Sequence, residues 1–518
     1  MEYTFDEKAL EALYLMEKTQ ANLFLTGKAG TGKSTLLRSF LTHTTKNIAV
    51  LAPTGVAALN IGGSTIHSFF KMSPKSTFAS IRKEAKRFIG DPTFTELDAI
   101  VIDEISMMRA DLFDFINLYL QIVCENSLAF GGKQMILIGD LFQLPPVVTS
   151  EERDYFRDNY LSPYFFSSKV VANGEFSFTF HELEKIYRQN DQIFIDILNS
   201  IREKKADEAI LSQLNECVVG EQRFEIKPGD MYLAGRNSTV DELNREMLEA
   251  LEGEEFCFPA EVKGRMSPSA FPTEEKLKLK VGAQVMFMVN DSAGRRANGT
   301  LGIVKEISRE KKKAFVLVEL FDGEEVEVSS FTWRVNQYTY DYDTKKLGAE
   351  TVGSFSQIPL KLAWACTIHK SQGKTFENVV LDMKGGSFAH GQTYVALSRC
   401  KSLEGLKLIS PIRKSDIILD SVISDFIATY HDQKFVPPLE SSELYQKLEK
   451  AMKEKAEISI LYQWKDWEIR ERKIAPTKLG RMRLKGVVFV GMKAICGESG
   501  KEKVFEVERV KELKSGRG

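Results

Sequence analysis

Residues 27–35 constrain this chain more than any other stretch. Gly27-Lys28-Ala29-Gly30-Thr31-Gly32-Lys33-Ser34-Thr35 fits the pattern G-x-x-x-x-G-K-[ST], follows an apolar run at Asn22–Thr26 and opens an amphipathic helix. A strand that ends in glycines and turns into a helix points backbone N–H groups and a helix N-terminus at one spot, which suits a phosphate. Gly27, Ala29, Gly30, Thr31, Gly32 and Thr35 would line that cradle. Lys33 would reach the β- and γ-phosphates of a nucleoside triphosphate, and the Ser34 hydroxyl would ligate Mg²⁺. A chance glycine-rich turn would lack the strand before it and the helix after it. The flanking pattern therefore sets the fold class as α/β.

The same rhythm continues downstream. Ile48–Ala52, Ala99–Ile102 and Gln134–Ile138 read as buried strands of a parallel sheet covered on both faces. Val101-Ile102-Asp103-Glu104 closes one of them at its carboxyl end, where ligands bind in such sheets. Asp103 suits Mg²⁺ and Glu104 suits the activation of a water; the pair could also cap the next helix, since Ser106 and Asp111 lie nearby. Gly139-Asp140-Leu141-Phe142-Gln143-Leu144-Pro145-Pro146 follows the next strand. Gln143 is a neutral group able to touch a γ-phosphate and register its loss, although these residues are also ordinary turn formers.

Other textures mark further units. Residues 73–95 look like a small insertion. From 181 to about 260 helices dominate, with a strand at Asp230–Ala234. Between about 276 and 356, short strands at 281–289, 302–307, 314–320 and 325–329 suggest a small β-barrel insert. The α/β texture returns at Leu360, and Pro437-Pro438 opens a linker before a last helix and a β-rich tail. A chain of 518 residues is long enough for three or four domains at roughly 150 residues each.

No apolar run approaches the roughly 18 residues of a membrane span, and the acidic start lacks a signal peptide's basic and apolar regions. The six cysteines are widely scattered, with no zinc or redox spacing. These features suggest a reduced cytoplasmic enzyme without a membrane partner. The net charge of −2 hides an asymmetry: residues 441–518 hold 19 Lys and Arg against 12 Asp and Glu. The tail thus reads as a separate unit with its own partner surface, or as a solvated basic face.

Six segments in order now support a resemblance: Gly27–Thr35, Ala52–Asn60 with Thr65–Phe69, Val101–Ser106, Gly139–Pro146, Tyr187-Arg188-Gln189, and Thr367–Gly373 with Tyr394–Arg399. They span about three quarters of the chain and resemble the superfamily 1B DNA helicases of the petite-integration-frequency (Pif) family. The resemblance implies two RecA-like lobes with ATP and Mg²⁺ between them and single-stranded DNA crossing both. It implies a lobe 1A at 1–180 with a wedge-bearing insertion 1B at about 70–95, and a lobe 2A at 181–275 and 357–436. An SH3-like domain 2B would occupy 276–356. Movement 5′ to 3′ on single-stranded and forked DNA follows from the family, as does a monomeric, bacterial, nucleoid-associated protein.

On that model Lys33, Glu104 and Gln143 act from the first lobe, with Ser34 and Asp103 on the metal. Arg188 and Arg399 come from the second lobe as arginine fingers, and Gly373 lines the nucleotide. Such fingers engage only when the cleft closes, which ties hydrolysis to lobe motion. Taken singly, either arginine could instead hold a structural salt bridge. The DNA contacts implied are Pro53, Thr54, Gly55, Ala57, His67, Phe69, His369, Ser371 and Gln372. His67 and Phe69 could equally be core residues. The family's adenine-reading Gln is missing from its expected place, where Phe5-Asp6-Glu7-Lys8-Ala9-Leu10 stands, and Gln20 lies close to the first strand for a substitute. ATP preference is expected less firmly for that reason.

The tail carries a second resemblance. Ile458–Tyr462, Glu471–Leu479, Gly486–Gly491 and Val504–Val510 are similar to a WYL domain, a small Sm-like β-fold, with the naming motif degraded to Val488-Phe489-Val490. Residues 470–485 hold seven Lys and Arg and one acid, just after Trp464 and Trp467. Basic residues beside stacking rings suit a single strand, so Arg470, Arg472, Arg481 and Arg483 are DNA candidates; the tryptophans could instead pack on the barrel. Two other readings stay open: an RNA-dependent or translocation-only ATPase, and a nucleotide-gated regulator without stimulated turnover.

Overall fold

The computed structural model describes residues 5–189, 191–220, 225–290, 297–310, 313–431, 443–463, 469–484, 487–497 and 499–514. Six parallel strands carry the phosphate loop: β1 (Leu23–Gly27), β2 (Ile48–Ala52), β3 (Ser64–Thr65), β4 (Ala99–Ile102), β5 (Gln134–Ile138) and β6 (Thr179–Leu183), in the order β3-β2-β4-β5-β1-β6. β1, β4 and β5 are buried along their whole length, as strands covered on both faces must be. Leu23 and Leu25 pack with Leu13 of helix α1 (Glu7–Lys18) and with Leu36, Leu37 and Phe40 of helix α2 (Lys33–His43). Phe24 points the other way, into rings of Phe165, Phe178, Phe180 and Phe426 at 5.5–6.2 Å. Phe426 lies on helix Ser421–His431, so a late helix seals the second face of the first sheet.

The expected lobe boundary at 180 falls inside β6, which pairs with β1 from Leu23↔Thr179 to Gly27↔Leu183. The first sheet therefore extends to Leu183. This edge strand is only half-buried and carries His181 and Glu182, so it lacks the apolar signature of its neighbours. A second parallel sheet orders Ala365–Thr367, Asp230–Ala234, Asn378–Asp382 and Leu406–Leu408.

The stretch expected to form one β-barrel splits in two. Glu325–Ser329, Lys313–Leu320, Leu301–Glu310, Gln284–Phe287 and Leu360–Leu362 form an antiparallel sheet, the last strand lying beyond the expected limit at 356. Phe331–Asp341 and Lys346–Gln357 form a long ribbon with Glu261–Gly264 on its flank. Burial alternates at only one end of the ribbon, at 353, 355 and 357, and most of both strands is partly exposed. The ribbon reaches the first lobe. Because β3 pairs only with Leu51 and Ala52, Val50 faces an open edge, and its N–H donates to the Tyr338 hydroxyl at 3.0 Å. Lys346 Nζ donates to Thr45 O at 2.7 Å and Asn47 Nδ2 to Lys345 O at 3.2 Å. An unpaired strand edge is thus covered by a distant insertion.

The tail is less separate than its charge suggested. Helix Glu443–Lys453 and five antiparallel strands, ordered Glu502–Glu506, Val487–Cys496, Ile469–Leu484, Ile458–Gln463 and Val510–Lys514, pack against α1. Ala12 to Met16 are buried at five consecutive positions. A helix lying on one sheet buries a stripe; burial all round requires a second cover. Leu448, Ile460, Ile474, Met492 and Phe505 supply it, sharing one apolar core with α1 and the first sheet. Among the described residues no helix is long and apolar enough to cross a membrane.

Removing residues 443–518 should therefore lower the thermal midpoint of the remaining chain, by about 2–4 °C for each kcal/mol of lost burial in a domain of this size. Differential scanning calorimetry checks this. An unchanged midpoint would mean that α1 needs no second cover.

Candidate active site at the lobe interface

The phosphate loop is shaped by two glycines in left-handed backbone. Gly30 has φ +83°, and a Cβ there would lie 2.5 Å from the Cβ of Arg188; Gly32, φ +86°, is the N-cap of α2. Lys33 folds back, its Nζ donating to Gly27 O at 2.6 Å and Lys28 O at 3.1 Å. Burial holds its amine below the usual lysine range, offset by the nearby Asp140 and Glu104. Ser34 is exposed at the start of α2.

Asp103 and Glu104 follow β4 directly. Glu104 adopts φ +54°, and its N–H donates to Asp103 Oδ1 at 3.0 Å. This is left-handed backbone without a glycine, a strain found at functional turns. Burial, then the neighbouring Asp103, pushes the Glu104 carboxyl up to about 7. Gln372, from the second lobe, crosses the cleft: its Nε2 donates to Glu104 Oε2 and to Gln143 Oε1, each at 3.1 Å. Gln143 donates in turn to Asp140 Oδ2 at 3.3 Å.

Arg188 belongs to neither sheet. It sits in the segment that follows β6, where Tyr187 N–H donates to Gly30 O at 2.9 Å and Arg188 donates to Ser398 O and Gly373 O at 3.4 and 3.5 Å. Its backbone thus lies against the phosphate loop of the first lobe, and its guanidinium donates to carbonyls of the second. Arg399 does come from the second lobe. It is 1% exposed and donates to Val395 O, Lys374 O, Ser371 O and Ser398 Oγ at 2.8–3.4 Å. Burial and the facing Arg188 bring its guanidinium down to about 9.

Three expected DNA contacts are placed elsewhere. Phe69 is a core residue, its ring 4.9–5.5 Å from those of Phe70, Phe94 and Tyr338. Its helical turn directs it inward, the alternative the sequence left open. Ser371 is fully buried and donates to Ile368 O at 2.8 Å. Gln372 lies in the nucleotide cleft, as above. Thr54 caps the short helix Gly55–Asn60 by accepting from Ala57 N–H at 3.2 Å, with Pro53, Thr54, Gly55 and Ala57 all half-buried. A Cβ at Gly55 would lie 2.8 Å from Ala270, so that turn packs closely on the segment leading into the insertion. His67 is half-buried and, through burial and then Arg109, held below the usual histidine range. His369 is exposed, and so is Gly373.

In the tail, Arg470 is exposed and Arg472 half-buried on the strand Ile469–Leu484, where Arg481 and Arg483 stand opposite Val490 and Val488. Trp464 and Trp467 lie outside the described residues.

Two site residues were given no role by the sequence reading. Arg202, ending helix Gln192–Arg202, pairs with Asp140 at 3.1 Å, with side chains 5% and 0% exposed, and its guanidinium lies 3.9 Å from the Phe142 ring centroid. Burial alone would raise the Asp140 carboxyl, but Arg202 and Lys33 hold it below the usual range. A basic residue in a helix's last turn is commonplace and gave no signal. The other is Tyr394, whose hydroxyl accepts from Ala29 N–H at 2.9 Å.

The PIF1-like helicase family profile matches residues 6–209. A relative from Bdellovibrio bacteriovorus, ATP-dependent DNA helicase Pif1, is 32% identical over 417 residues, covering 78% of this chain and 88% of the relative. The chain belongs to the Pif1 helicase family. Among solved structures, Bacteroides Pif1 in complex with ADP-AlF4 aligns with a TM-score of 0.74 at 34% identity, over 83% of this chain and 98% of that one. The Bacteroides enzyme bound to ssDNA aligns over the same shares, with a TM-score of 0.57 at 35% identity.

The Arg202–Asp140 pair is buried, so breaking it leaves a lone charge. Arg202→Met should destabilise the chain by about 3–5 kcal/mol, and adding Asp140→Asn should restore part of that loss. Urea denaturation of the two singles and the double measures the coupling; strictly additive losses would show that the two side chains do not depend on each other.

Proposed function

We infer that the chain is an ATP-dependent DNA helicase in which Glu104 is the base and the two arginines stabilise the transferring phosphoryl. The observation that carries this reading is Gln372, which ties the Glu104 carboxylate and Gln143 of one lobe to the segment Thr367–Gly373 of the other. Hydrolysis chemistry and lobe position are thereby in direct contact.

The donor set fits Mg²⁺. Asp103 is half-buried, and its loss of hydration holds it above the usual carboxylate range, so a cation beside it would be favourable. Ser34 offers an exposed hydroxyl. Mg²⁺ is commonly held by one or two protein oxygens with phosphate and water completing the octahedron; among the described residues no group of three or more His, Cys, Asp or Glu is placed to hold a metal without them. When bound, the ion would neutralise charge on the β- and γ-phosphates. Glu104 takes a proton from the attacking water as its oxygen bonds to the γ-phosphorus. The bond to the β–γ bridging oxygen breaks, giving ADP and phosphate. Lys33 binds the phosphates, and Arg188 and Arg399 offset the charge on the transferring group. Gln143 shares the Gln372 amide with Glu104 and can report the loss of the γ-phosphate to Gln372.

The turn Pro53–Ala57 and the imidazoles of His67 and His369 are the proposed hold on single-stranded DNA, with 5′-to-3′ movement. The tail's basic strand is proposed as a further contact.

Glu104→Gln should retain nucleotide binding and lose turnover, whereas Lys33→Ala should weaken both; near-parental hydrolysis by Glu104→Gln would displace it as the base. In the full chain, Arg470→Ala with Arg472→Ala should weaken single-strand binding and reduce the log–log salt slope by about 1.4, at about 0.7 for each phosphate no longer neutralised. Fluorescence anisotropy at several salt concentrations reads this. An unchanged slope would remove these two residues from the DNA interface.

A further inference from the structure

Neither the hydrolysis nor the DNA reading has a use for Tyr394. It lies on the short helix Gln392–Leu397 of the second lobe, 4% exposed. Its hydroxyl accepts from the N–H of Ala29, inside the phosphate loop and 365 residues away in sequence. A phenol oxygen can accept and donate together. Among the described residues no acceptor takes the proton of this hydroxyl. An unspent donor in a buried site is unfavourable unless a partner arrives.

The surroundings say what that partner is. Arg188, Arg202 and Arg399 all act on the phenol electrostatically, as does the Asp140 carboxylate. Lys33 shares the same loop and the same Asp140 neighbour. Arg202 is taken up by Asp140, but Lys33 lies on the loop carbonyls and Arg188 and Arg399 donate to neighbouring carbonyls, so three cations facing the cleft suit it to a multiply charged anion. Burial pushes the phenol up to about 12, so it carries its proton at neutral pH.

The helix is also fixed in place. His390 Nε2 donates to Leu141 O at 2.8 Å, and a side chain at Gly391 would overlap the carbonyl of Phe142. One turn on, the Val395 carbonyl and the Ser398 hydroxyl hold Arg399. Tyr394 and Arg399 are therefore presented to the nucleotide as a unit by the second lobe.

We propose that Tyr394 is a further catalytic residue, anchored by the Ala29 amide and donating its hydroxyl hydrogen bond to an oxygen of the γ-phosphoryl group. The phenol keeps its proton throughout, and the proton of the attacking water goes to Glu104. Because ADP lacks the γ-phosphoryl, this contact distinguishes triphosphate from diphosphate, and it forms only with the second lobe in place.

This proposal rests on the ATPase reading above, and the parent chain with the Glu104→Gln control tests that reading separately. Tyr394→Phe in the full chain keeps the ring and loses only the hydroxyl. DNA-stimulated kcat should fall by about 100-fold, the lower end of the range for loss of one donor to a transition state. Affinity for ADP-AlF4 should weaken by a comparable factor, while affinity for ADP stays within about twofold of the parent. A kcat within twofold of the parent overturns the proposal. Equal weakening of ADP and ADP-AlF4 also overturns it, since the hydroxyl would then only shape the phosphate loop. If the phenylalanine chain melts early, fluorotyrosine at position 394 serves instead: a more acidic donor should change kcat, and an unchanged kcat overturns the proposal.

Discussion

A polar seam between two parallel sheets holds the rest of the molecule in register. Gln372 spans from Glu104 to Gln143, the Ala29 amide meets Tyr394, His390 meets the Leu141 carbonyl, and Gln189 donates to Ser398 O and Cys400 O at 3.3 and 3.2 Å. These are mostly neutral groups bonded to backbone or amide. Such bonds gain strength in a low-dielectric interior, yet each can be exchanged for another of similar worth. A purely apolar interface would weld the lobes together. A seam of this kind lets a charged ligand compete for the same donors and acceptors, so occupancy of the cleft and the relation between lobes are one equilibrium.

What the sequence disclosed follows from where the information is local. The phosphate loop, the acids at the end of β4 and the strands Ile48–Ala52, Ala99–Ile102 and Gln134–Ile138 each depend on neighbours a few residues away, and each stands where it was expected. Residues whose role depends on distant partners were harder to read. Gln372 and Ser371 are adjacent in a segment expected to touch DNA, but one turn of backbone sends Ser371 to a local carbonyl and Gln372 to the other lobe. Phe69 could have faced either way, and only the packing of Phe94 and Tyr338 around it decides. Arg202 has meaning solely through Asp140.

The insertion and the tail illustrate a related limit. Charge and texture marked both as distinct pieces, which is right for their sheets and incomplete for their cores. The ribbon at 331–357 lends a tyrosine to β2, and the tail lends an apolar surface to α1. In both cases the borrowed surface lies on the first lobe, whose sheet also takes Phe426 from helix Ser421–His431. The lobe that binds phosphate is thus the one most dependent on the remainder of the chain.

Synthesis runs from the N-terminus, and domains tend to fold as they emerge. Here that order meets an obstacle in α1, which is made long before the surface that covers its outer side. Until the strands at 458–514 exist, a row of consecutive apolar residues on a nascent helix has water on one side. The first lobe cannot reach its final burial until those strands have left the ribosome. A nascent chain, or one cut short before them, would present that helix as a sticky surface. Translation through the tail would then be a condition for a well-behaved first lobe.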